Sequence, residues 1–239
     1  MLATLARSPS YKWYAFGVVA VGTFASVVDH SSVAVALPSI ATYFSTDIPS
    51  VQWVVIGFAM AIIALLLPVG RLADLVGLKK VYIAGSLVLI LGAIIAGASS
   101  NLVILILSRI VQGAGAAMTQ GTGMAIIIAA FPPSERGKAI GLIMTMVGAG
   151  AIAGPAVGGL LVDALGWRSV FFANVPLVAA GVVLGLAVLA DQPVEQRLQS
   201  GQKQGFDWLG ASLSSLALLV FLIAISNAHR IGWLSPPIL

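Results

Sequence analysis

The chain has 239 residues, of which 59% are apolar and only 8% are charged, whereas a soluble domain usually carries about 25% charged residues. Its mean hydropathy is +1.07, and 12 basic plus 8 acidic side chains are too few to cover a soluble protein of this size. This composition excludes an ordinary soluble enzyme, a disordered protein and a nucleic-acid-binding protein. Because the chain has no cysteine and two histidines, it also excludes a disulfide framework, and neither a metal site nor a cofactor is expected. The remaining solvent for such a chain is a lipid bilayer.

Seven segments are long and apolar enough to cross a bilayer, since a spanning helix needs about 17–25 mostly apolar residues. In chain order they are residues 13–37, 52–72, 81–98, 102–130, 139–165, 170–190 and 209–227. Pro38 follows the first segment directly, at a helix end where a residue without an N–H group is tolerated. Even if the first segment were a cleaved signal peptide, six further spans would hold the protein in the membrane. The sequence therefore predicts an all-α, polytopic membrane helix bundle.

The longest hydrophilic stretch, residues 191–207, separates the first six predicted spans from the seventh. We predict a six-span bundle over residues 1–190, a cytoplasmic linker over 191–207, and a seventh span with an outer tail over 208–239. A six-span unit followed by a cytoplasmic linker is typical of one half of a large transporter.

Lysine and arginine residues are concentrated on one side of the predicted spans. With the N-terminus inside, nine of the 12 lie on the inner side: Arg7, Lys12, Arg71, Lys79, Lys80, Arg136, Lys138, Arg197 and Lys203. Arg168 and Arg230 lie outside, and Arg109 lies within a span. Because cytoplasmic loops carry the excess of basic residues, we predict a multi-pass protein of the cell membrane with a cytoplasmic N-terminus.

Two ionisable residues fall deep within predicted spans. At a rise of about 1.5 Å per residue, Arg109 lies roughly 10 Å past Leu102, and Asp29 lies roughly 12 Å before Leu37. A charged group at this depth is costly unless it faces protein, water or an opposite charge, so it indicates a functional site. A structural pair between Asp29 and Arg109 is an alternative that is compatible with such a function.

Two further stretches are rich in glycine. Residues 70–80 join the second and third spans on the inner side, where Gly70 and Gly77 would allow tight turns and Asp74 could pair with a base or a helix N-terminus. The simpler interpretation of this stretch is an ordinary inside-positive loop. In the fifth span, Gly150, Gly154 and Gly158 have the GxxxG spacing that lets two helices approach closely. Plain helix packing is the simpler interpretation there.

Five motifs between Asp29 and Pro176 resemble those of the major facilitator superfamily. They are DHSSVAVALP from Asp29, GRLADLVGLKK from Gly70, RIVQGAGAA from Arg109, GAGAIAGPAVGG from Gly148 and GWRSVFFANVP from Gly166. The first and last resemble signatures of the 14-span drug:proton antiporters, and the fourth resembles a signature of antiporters. Ser31 and Ala34 depart from the threonine and asparagine of the first signature. The chain is thus identified, by resemblance, as an N-terminal half plus one linker helix.

The resemblance implies alternating access, in which two six-helix halves rock around a central cavity without covalent chemistry. It implies that Asp29 binds a proton or cation, that Arg109 controls its protonation and that Gln112 lends polar lining. The implied cytoplasmic gate comprises Gly70, Asp74, Gly77, Lys79 and Lys80. The implied close-packed, bent helix surface comprises Gly150, Gly154, Pro155, Gly158 and Gly159.

The implied activity is proton-coupled efflux of lipophilic or cationic drugs, as in multidrug resistance. The expected partners are membrane lipid, protons, a small lipophilic or cationic substrate and a missing C-terminal transporter half. Two alternatives stay open: an exporter of a metabolite or siderophore built on the same half, and a truncated membrane fragment that does not transport.

The predicted orientation can be measured in this cysteine-free chain. Single cysteines at Ser8, Ser200 and Ser235 would be treated with a membrane-impermeant thiol reagent in intact cells. We expect labelling at Ser235 alone, because the basic residues place the other two positions on the cytoplasmic side. Labelling at Ser200 would contradict the seven-span topology.

Overall fold

The computed structural model describes residues 10–190, 210, 213–214, 216–218 and 220–221. Within these residues there are six long helices: α1 Tyr11–Tyr43, α2 Trp53–Val76, α3 Leu78–Gly97, α4 Leu102–Ala130, α5 Arg136–Leu165 and α6 Arg168–Val188. A one-turn helix, Ile48–Val51, precedes α2, and a 3₁₀ turn, Pro133–Glu135, precedes α5. All six long helices are long and apolar enough to cross a membrane, which confirms the predicted all-α membrane bundle. The predicted linker over 191–207 and most of the predicted seventh span lie outside the described residues.

The first helix is longer than the sequence predicts. It continues to Tyr43, so Pro38 lies inside it rather than beyond its end. The extension has its own buried contacts, since Ile40 and Ala41 belong to an apolar cluster with Trp167. Burial of this extra turn and a half offsets the hydrogen bond that the proline cannot make.

The predicted loop over residues 70–80 is almost entirely helical. Asp74 belongs to α2 and Lys79 to the first turn of α3. Gly77 alone separates the two helices, and its φ of +110° is a conformation that favours glycine. The predicted tight turn at Gly70 is wrong, because α2 continues through it and buries Ala73 one turn later.

Helix α4 lies at the centre of the packing and makes its most extensive contacts with α2 and α3. Two of its glycines permit this approach. A Cβ atom on Gly113 would collide with the Phe58 carbonyl oxygen, and one on Gly115 would lie 2.6 Å from the Gly85 carbonyl oxygen. Any larger residue would push α4 away from its neighbours.

Helix α5 packs on α1 through the glycines that have GxxxG spacing. A Cβ atom on Gly150 would lie 3.0 Å from Val27, and one on Gly158 would lie 2.8 Å from Ser32 Cα. The Ser32 hydroxyl also donates to the Gly154 carbonyl oxygen at 2.8 Å. The glycines therefore form a close α1–α5 contact that is reinforced by an interhelical hydrogen bond.

The two ends of the bundle are each held by a basic residue. The Arg168 guanidinium carbon lies 4.4 Å from the Tyr43 ring centroid, and Arg168 Nη2 donates to the Ser99 carbonyl oxygen at 2.8 Å. At the opposite end, Lys12 Nζ lies 2.5 Å from a Glu135 carboxylate oxygen. These contacts join α6 to α1 and to the turn after α3, and α1 to the turn before α5.

The α1–α5 contact predicts opposite effects of alanine at two neighbouring glycines. A Cβ atom on Gly158 would meet the backbone of Ser32, whereas one on Gly159 meets nothing within 4 Å. We expect Gly158→Ala to lower the free energy of unfolding by about 1–3 kcal/mol through overpacking. Gly159→Ala should leave it unchanged or raise it by up to about 1 kcal/mol through helix propensity.

Circular dichroism of the purified variants during heating would measure this difference. Equal melting temperatures for the two variants would contradict the described contact.

Candidate functional site

The centre of the bundle contains a buried ion pair. Asp29 on α1 is 2% exposed and Arg109 on α4 is fully buried, and Arg109 Nη1 lies 2.6 Å from Asp29 Oδ2. An isolated charge here would lose its hydration without replacement, so each group needs the other. The pair therefore fixes α1 against α4 at this depth.

Gln112 completes the cluster on the same face of α4, one turn after Arg109. Its side-chain oxygen accepts a hydrogen bond from Arg109 Nη1 at 2.6 Å, and its side-chain nitrogen lies 3.5 Å from Asp29 Oδ1. Arg109 Nε donates to the Val54 carbonyl oxygen at 3.3 Å. The structure thus brings together the three side chains that were expected to form one pathway, while Arg109 Nη2 has no hydrogen-bond partner among the described residues.

Two aromatic rings flank the guanidinium group. The Arg109 guanidinium carbon lies 4.2 Å from the ring centroid of Phe58 on α2 and 5.8 Å from that of Phe171 on α6. Aromatic faces attract a cation, more so where water is excluded. Arg109 is consequently a contact point for α1, α2 and α6 as well as part of α4.

A cleft lies beside this cluster, between α1, α2, α4 and α5. It consists of two cavities of about 250 Å³ and 230 Å³, which share Ser26, Val27 and Gln120 as lining residues. His30 and Phe58 line the first cavity, whereas Asp29 lines neither. Because they share lining residues, the two cavities are neighbours in the bundle.

The residues of the predicted cytoplasmic gate lie away from the ion pair, whereas Gly150, Gly154 and Gly158 pack on α1 beside the turns that carry Asp29. Asp74 and Lys80 are exposed near the α2–α3 junction, and Lys79 Nζ donates to the Leu186 carbonyl oxygen at 3.4 Å. Asp74 is sixteen residues beyond Phe58 in α2, which corresponds to roughly 24 Å along the helix. Among the residues of the predicted helix surface, Pro155 is exposed and a Cβ on Gly159 would point into open space.

Sequence reasoning assigned no role to His30, Phe58, Gln120 or Asn174. Gln120 and Asn174 are amides within apolar spans, so the argument that singled out Arg109 could have found them. Asn174 is 4% exposed, and neither of its side-chain polar atoms has a hydrogen-bond partner in the part of the chain that the structure describes. Phe58 gives no sequence signal, because a phenylalanine is ordinary in a spanning helix.

The six helices that are long and apolar enough to span a membrane, with a buried ionic cluster beside a cleft, define a multi-pass membrane protein. A family model described as Major Facilitator Superfamily matches residues 19–235. The chain therefore belongs to the Major Facilitator Superfamily, which confirms the family that its motifs predicted. Members of this superfamily are transporters and not enzymes. The 14-span type stays a prediction.

Three curated relatives extend this similarity. The riboflavin transporter RibZ of Clostridioides difficile (strain 630) is 34% identical over 90% of this chain and 46% of its own length. The tetracenomycin C resistance and export protein of Streptomyces glaucescens is 32% identical over 92% of this chain and 40% of its own length. The multidrug resistance protein Stp of Mycobacterium tuberculosis (strain CDC 1551 / Oshkosh) is 34% identical over 90% of this chain and 39% of its own length. The chain spans less than half the length of these relatives.

A solved structure shares the fold. The crystal structure of the peptide transporter POT in complex with sulfate has a TM-score of 0.66 with this chain at 14% sequence identity. The similarity covers 97% of this chain and 48% of the other. At this identity the likeness shows the six-helix fold alone.

The buried pair predicts that loss of one partner destabilises the protein more than loss of both. Asp29→Asn leaves the Arg109 guanidinium buried without a counter-charge, and breaking one side of such a pair costs about 3–5 kcal/mol. The double variant Asp29→Asn/Arg109→Gln removes both charges and should recover part of that loss. Unfolding of the purified variants in detergent would complete the double-mutant cycle.

Asp163→Asn is the matched control, because Asp163 is an exposed carboxylate on α5. It should change the free energy of unfolding by less than about 0.5 kcal/mol. Strictly additive effects at Asp29 and Arg109 would contradict an energetically coupled pair.

Proposed function

We propose that this chain is the N-terminal half of a cell-membrane transporter that exports small organic molecules in exchange for protons, with its N-terminus in the cytoplasm. The observation that carries the proposal is the buried cluster of Asp29, Arg109 and Gln112 beside a cleft in the bundle. The names of the relatives, which describe transport, export or resistance, support export as the activity. The excess of basic residues on one side supports the orientation.

Asp29 is the proposed proton-binding group. In the paired state the Arg109 guanidinium balances its charge at 2.6 Å, so the carboxylate needs no proton. A movement that separates the two would leave the carboxyl group in low-dielectric surroundings, which favour its uncharged form. Asp29 would then take up a proton, and re-forming the pair would release it. Because α1 carries one partner and α4 the other, helix movement and protonation are linked.

The proposed cytoplasmic gate is the α2–α3 junction. Its members are Gly70, Asp74, Gly77, Lys79 and Lys80. Gly77 interrupts the helix with a positive φ, which concentrates backbone freedom at one residue between two rigid helices. A hinge at this point would let the α2–α3 end move while the ion pair deeper in the bundle changes its state.

The two sides of helix α5 support two parts of the proposal, namely that α5 slides on α1 and that the transporter has a second half. The proposed sliding surface comprises Gly150, Gly154, Pro155, Gly158 and Gly159. On its other side α5 exposes apolar side chains, with Ile152 at 81% and Leu160 at 73%. Because the chain spans less than half the length of its relatives, we propose that a second six-helix half faces this bundle across the cleft.

The proposed substrate is a lipophilic or cationic drug. The name of the multidrug resistance relative supports a drug as the substrate, and the resemblance to drug:proton antiporters implies its lipophilic or cationic character. A second candidate is a metabolite of the kind that the riboflavin transporter carries, since that relative is 34% identical over 216 residues. The two candidates differ in charge, so one uptake experiment with ethidium and riboflavin as probes separates them.

Uptake into inverted membrane vesicles tests the proton site in a transporter that joins this half to its second half. A proton gradient should drive uptake in the unaltered protein, and Asp29→Asn should reduce uptake to the level of vesicles without transporter, because the amide cannot exchange a proton. Arg109→Lys should impair uptake while leaving membrane insertion intact, because lysine keeps the charge but lacks the planar fork. Asp163→Asn should retain uptake.

Three results would contradict parts of this proposal. Gradient-driven uptake at the original rate and pH dependence in Asp29→Asn would remove the proton site from this half. Uptake by residues 1–239 without a second half would show that this half is sufficient alone. Absence of uptake of both probes by the complete protein would favour the non-transporting alternative.

A further inference from the structure

The first cavity of the cleft has an unusual combination of walls. Its apolar surface comes from Phe58, Ile62 and Ile63, and its polar groups come from Ser26, His30 and Gln120. None of the residues that line either cavity is an aspartate, glutamate, lysine or arginine. The wall that the described residues of this half give to the cleft is therefore free of charged side chains, although the ion pair lies directly behind it.

The carboxylate that could attract a cation is withdrawn from this space. Asp29 is 2% exposed, its charge is balanced by Arg109, and its second oxygen faces the amide of Gln112 at 3.5 Å. Between this cluster and the cavity stands Phe58, whose ring contacts Arg109. A cation that entered the cavity would lose water without gaining an opposite charge from this half, which is unfavourable.

His30 gives the cavity a flat aromatic surface with a free polar group. Its ring stacks on Phe58 with centroids 5.5 Å apart and an interplanar angle of 26°. His30 Nδ1 is buried and has no hydrogen-bond partner among the described residues. A buried imidazole nitrogen without a partner carries a desolvation penalty that a ligand with a complementary N–H or C=O group would remove. Gln120 offers a second hydrogen-bonding group in both cavities.

We propose that the cleft selects uncharged, planar aromatic molecules with a hydrogen-bonding edge, and that His30 and Gln120 determine this specificity. The stacked rings of His30 and Phe58 would contact the face of the ligand, and Ile62 and Ile63 would cover its apolar edge. This inference rests on the proposed function, since it names the substrate class of that transporter, and it narrows the proposed substrates to those without a positive charge.

Three probes of nearly the same shape separate the contribution of hydrogen bonding to binding from the contribution of charge. Acridone is uncharged and has N–H and C=O groups, anthracene is uncharged without them, and N-methylacridinium carries a permanent positive charge. Equilibrium dialysis of the purified 239-residue chain in detergent, against micelles without protein, would give the three dissociation constants. We expect acridone to bind at least about threefold more tightly than anthracene, the gain of one hydrogen bond. N-methylacridinium also lacks the N–H and C=O groups, so the effect of its charge is measured against anthracene. It should bind at least about tenfold more weakly than anthracene, and more weakly still than acridone, because it loses hydration and gains no counter-charge.

Variants assign the selectivity to named residues. His30→Phe keeps an aromatic ring beside Phe58 but removes the nitrogen, so it should weaken acridone binding about threefold to tenfold and leave anthracene binding unchanged. Gln120→Leu should weaken acridone binding similarly. Gln52→Leu is the matched control, because Gln52 is an exposed glutamine that lines neither cavity, and it should bind all three probes as the original chain does.

The outcomes separate this inference from the transport proposal. Binding of N-methylacridinium as tight as that of anthracene or tighter, equal binding of acridone and anthracene, or absence of acridone binding would overturn the inference in the unaltered chain, without reliance on any variant. Unchanged acridone binding in both His30→Phe and Gln120→Leu would overturn the assignment of specificity. Because dialysis needs neither a proton gradient nor a second half, failure of vesicle uptake would leave a positive binding result standing.

Discussion

The structure depends on one electrostatic constraint, namely that a guanidinium group at the centre of an apolar bundle must keep a counter-charge and polar or aromatic neighbours. Arg109 meets this constraint with groups from three other helices: the Asp29 carboxylate of α1, the Val54 carbonyl of α2 and the Phe171 ring of α6. Each of these contacts forms only when its two groups are close together. Together they therefore hold α1, α2 and α6 around α4. Apolar packing alone gives no comparable specificity in a membrane, where lipid tails are as apolar as the side chains.

Small residues make that arrangement sterically possible. Helix α4 approaches α2 and α3 closely at Gly113 and Gly115, and α5 approaches α1 at Gly154 and its neighbours. Between α4 and α1, which carry the ion pair, a Cβ atom on Gly123 would lie 3.1 Å from Val19. These glycines have no Cβ to separate the backbones, and they leave the polar residues as the groups that determine register. The glycines therefore set the distances between the helices, and the charged residues select which helix faces meet.

The sequence was sufficient to predict most of the fold, because the apolar length of each span and the depth of Asp29 and Arg109 follow directly from helix geometry. The boundaries were less predictable. The extension of α1 past Pro38 depends on its contact with Trp167, and the helical state of Gly70 depends on burial of Ala73. Both are tertiary effects that local propensity does not contain. The residues that line the cleft could not be predicted from the sequence either, since the role of Phe58 arises only where α2 meets His30 and Arg109.

The arrangement separates the proposed proton site from the proposed substrate site by the thickness of one aromatic ring. Because Phe58 contacts the Arg109 guanidinium on one side and the His30 ring in the cavity, a ligand that displaces this ring would also disturb the surroundings of the ion pair. Coupling would then operate through ring position and hydrogen bonds, and the substrate would not need a charge that competes with the proton for Asp29. An antiporter built in this way can move an uncharged molecule against a proton, since the charge that responds to the membrane potential is the proton itself.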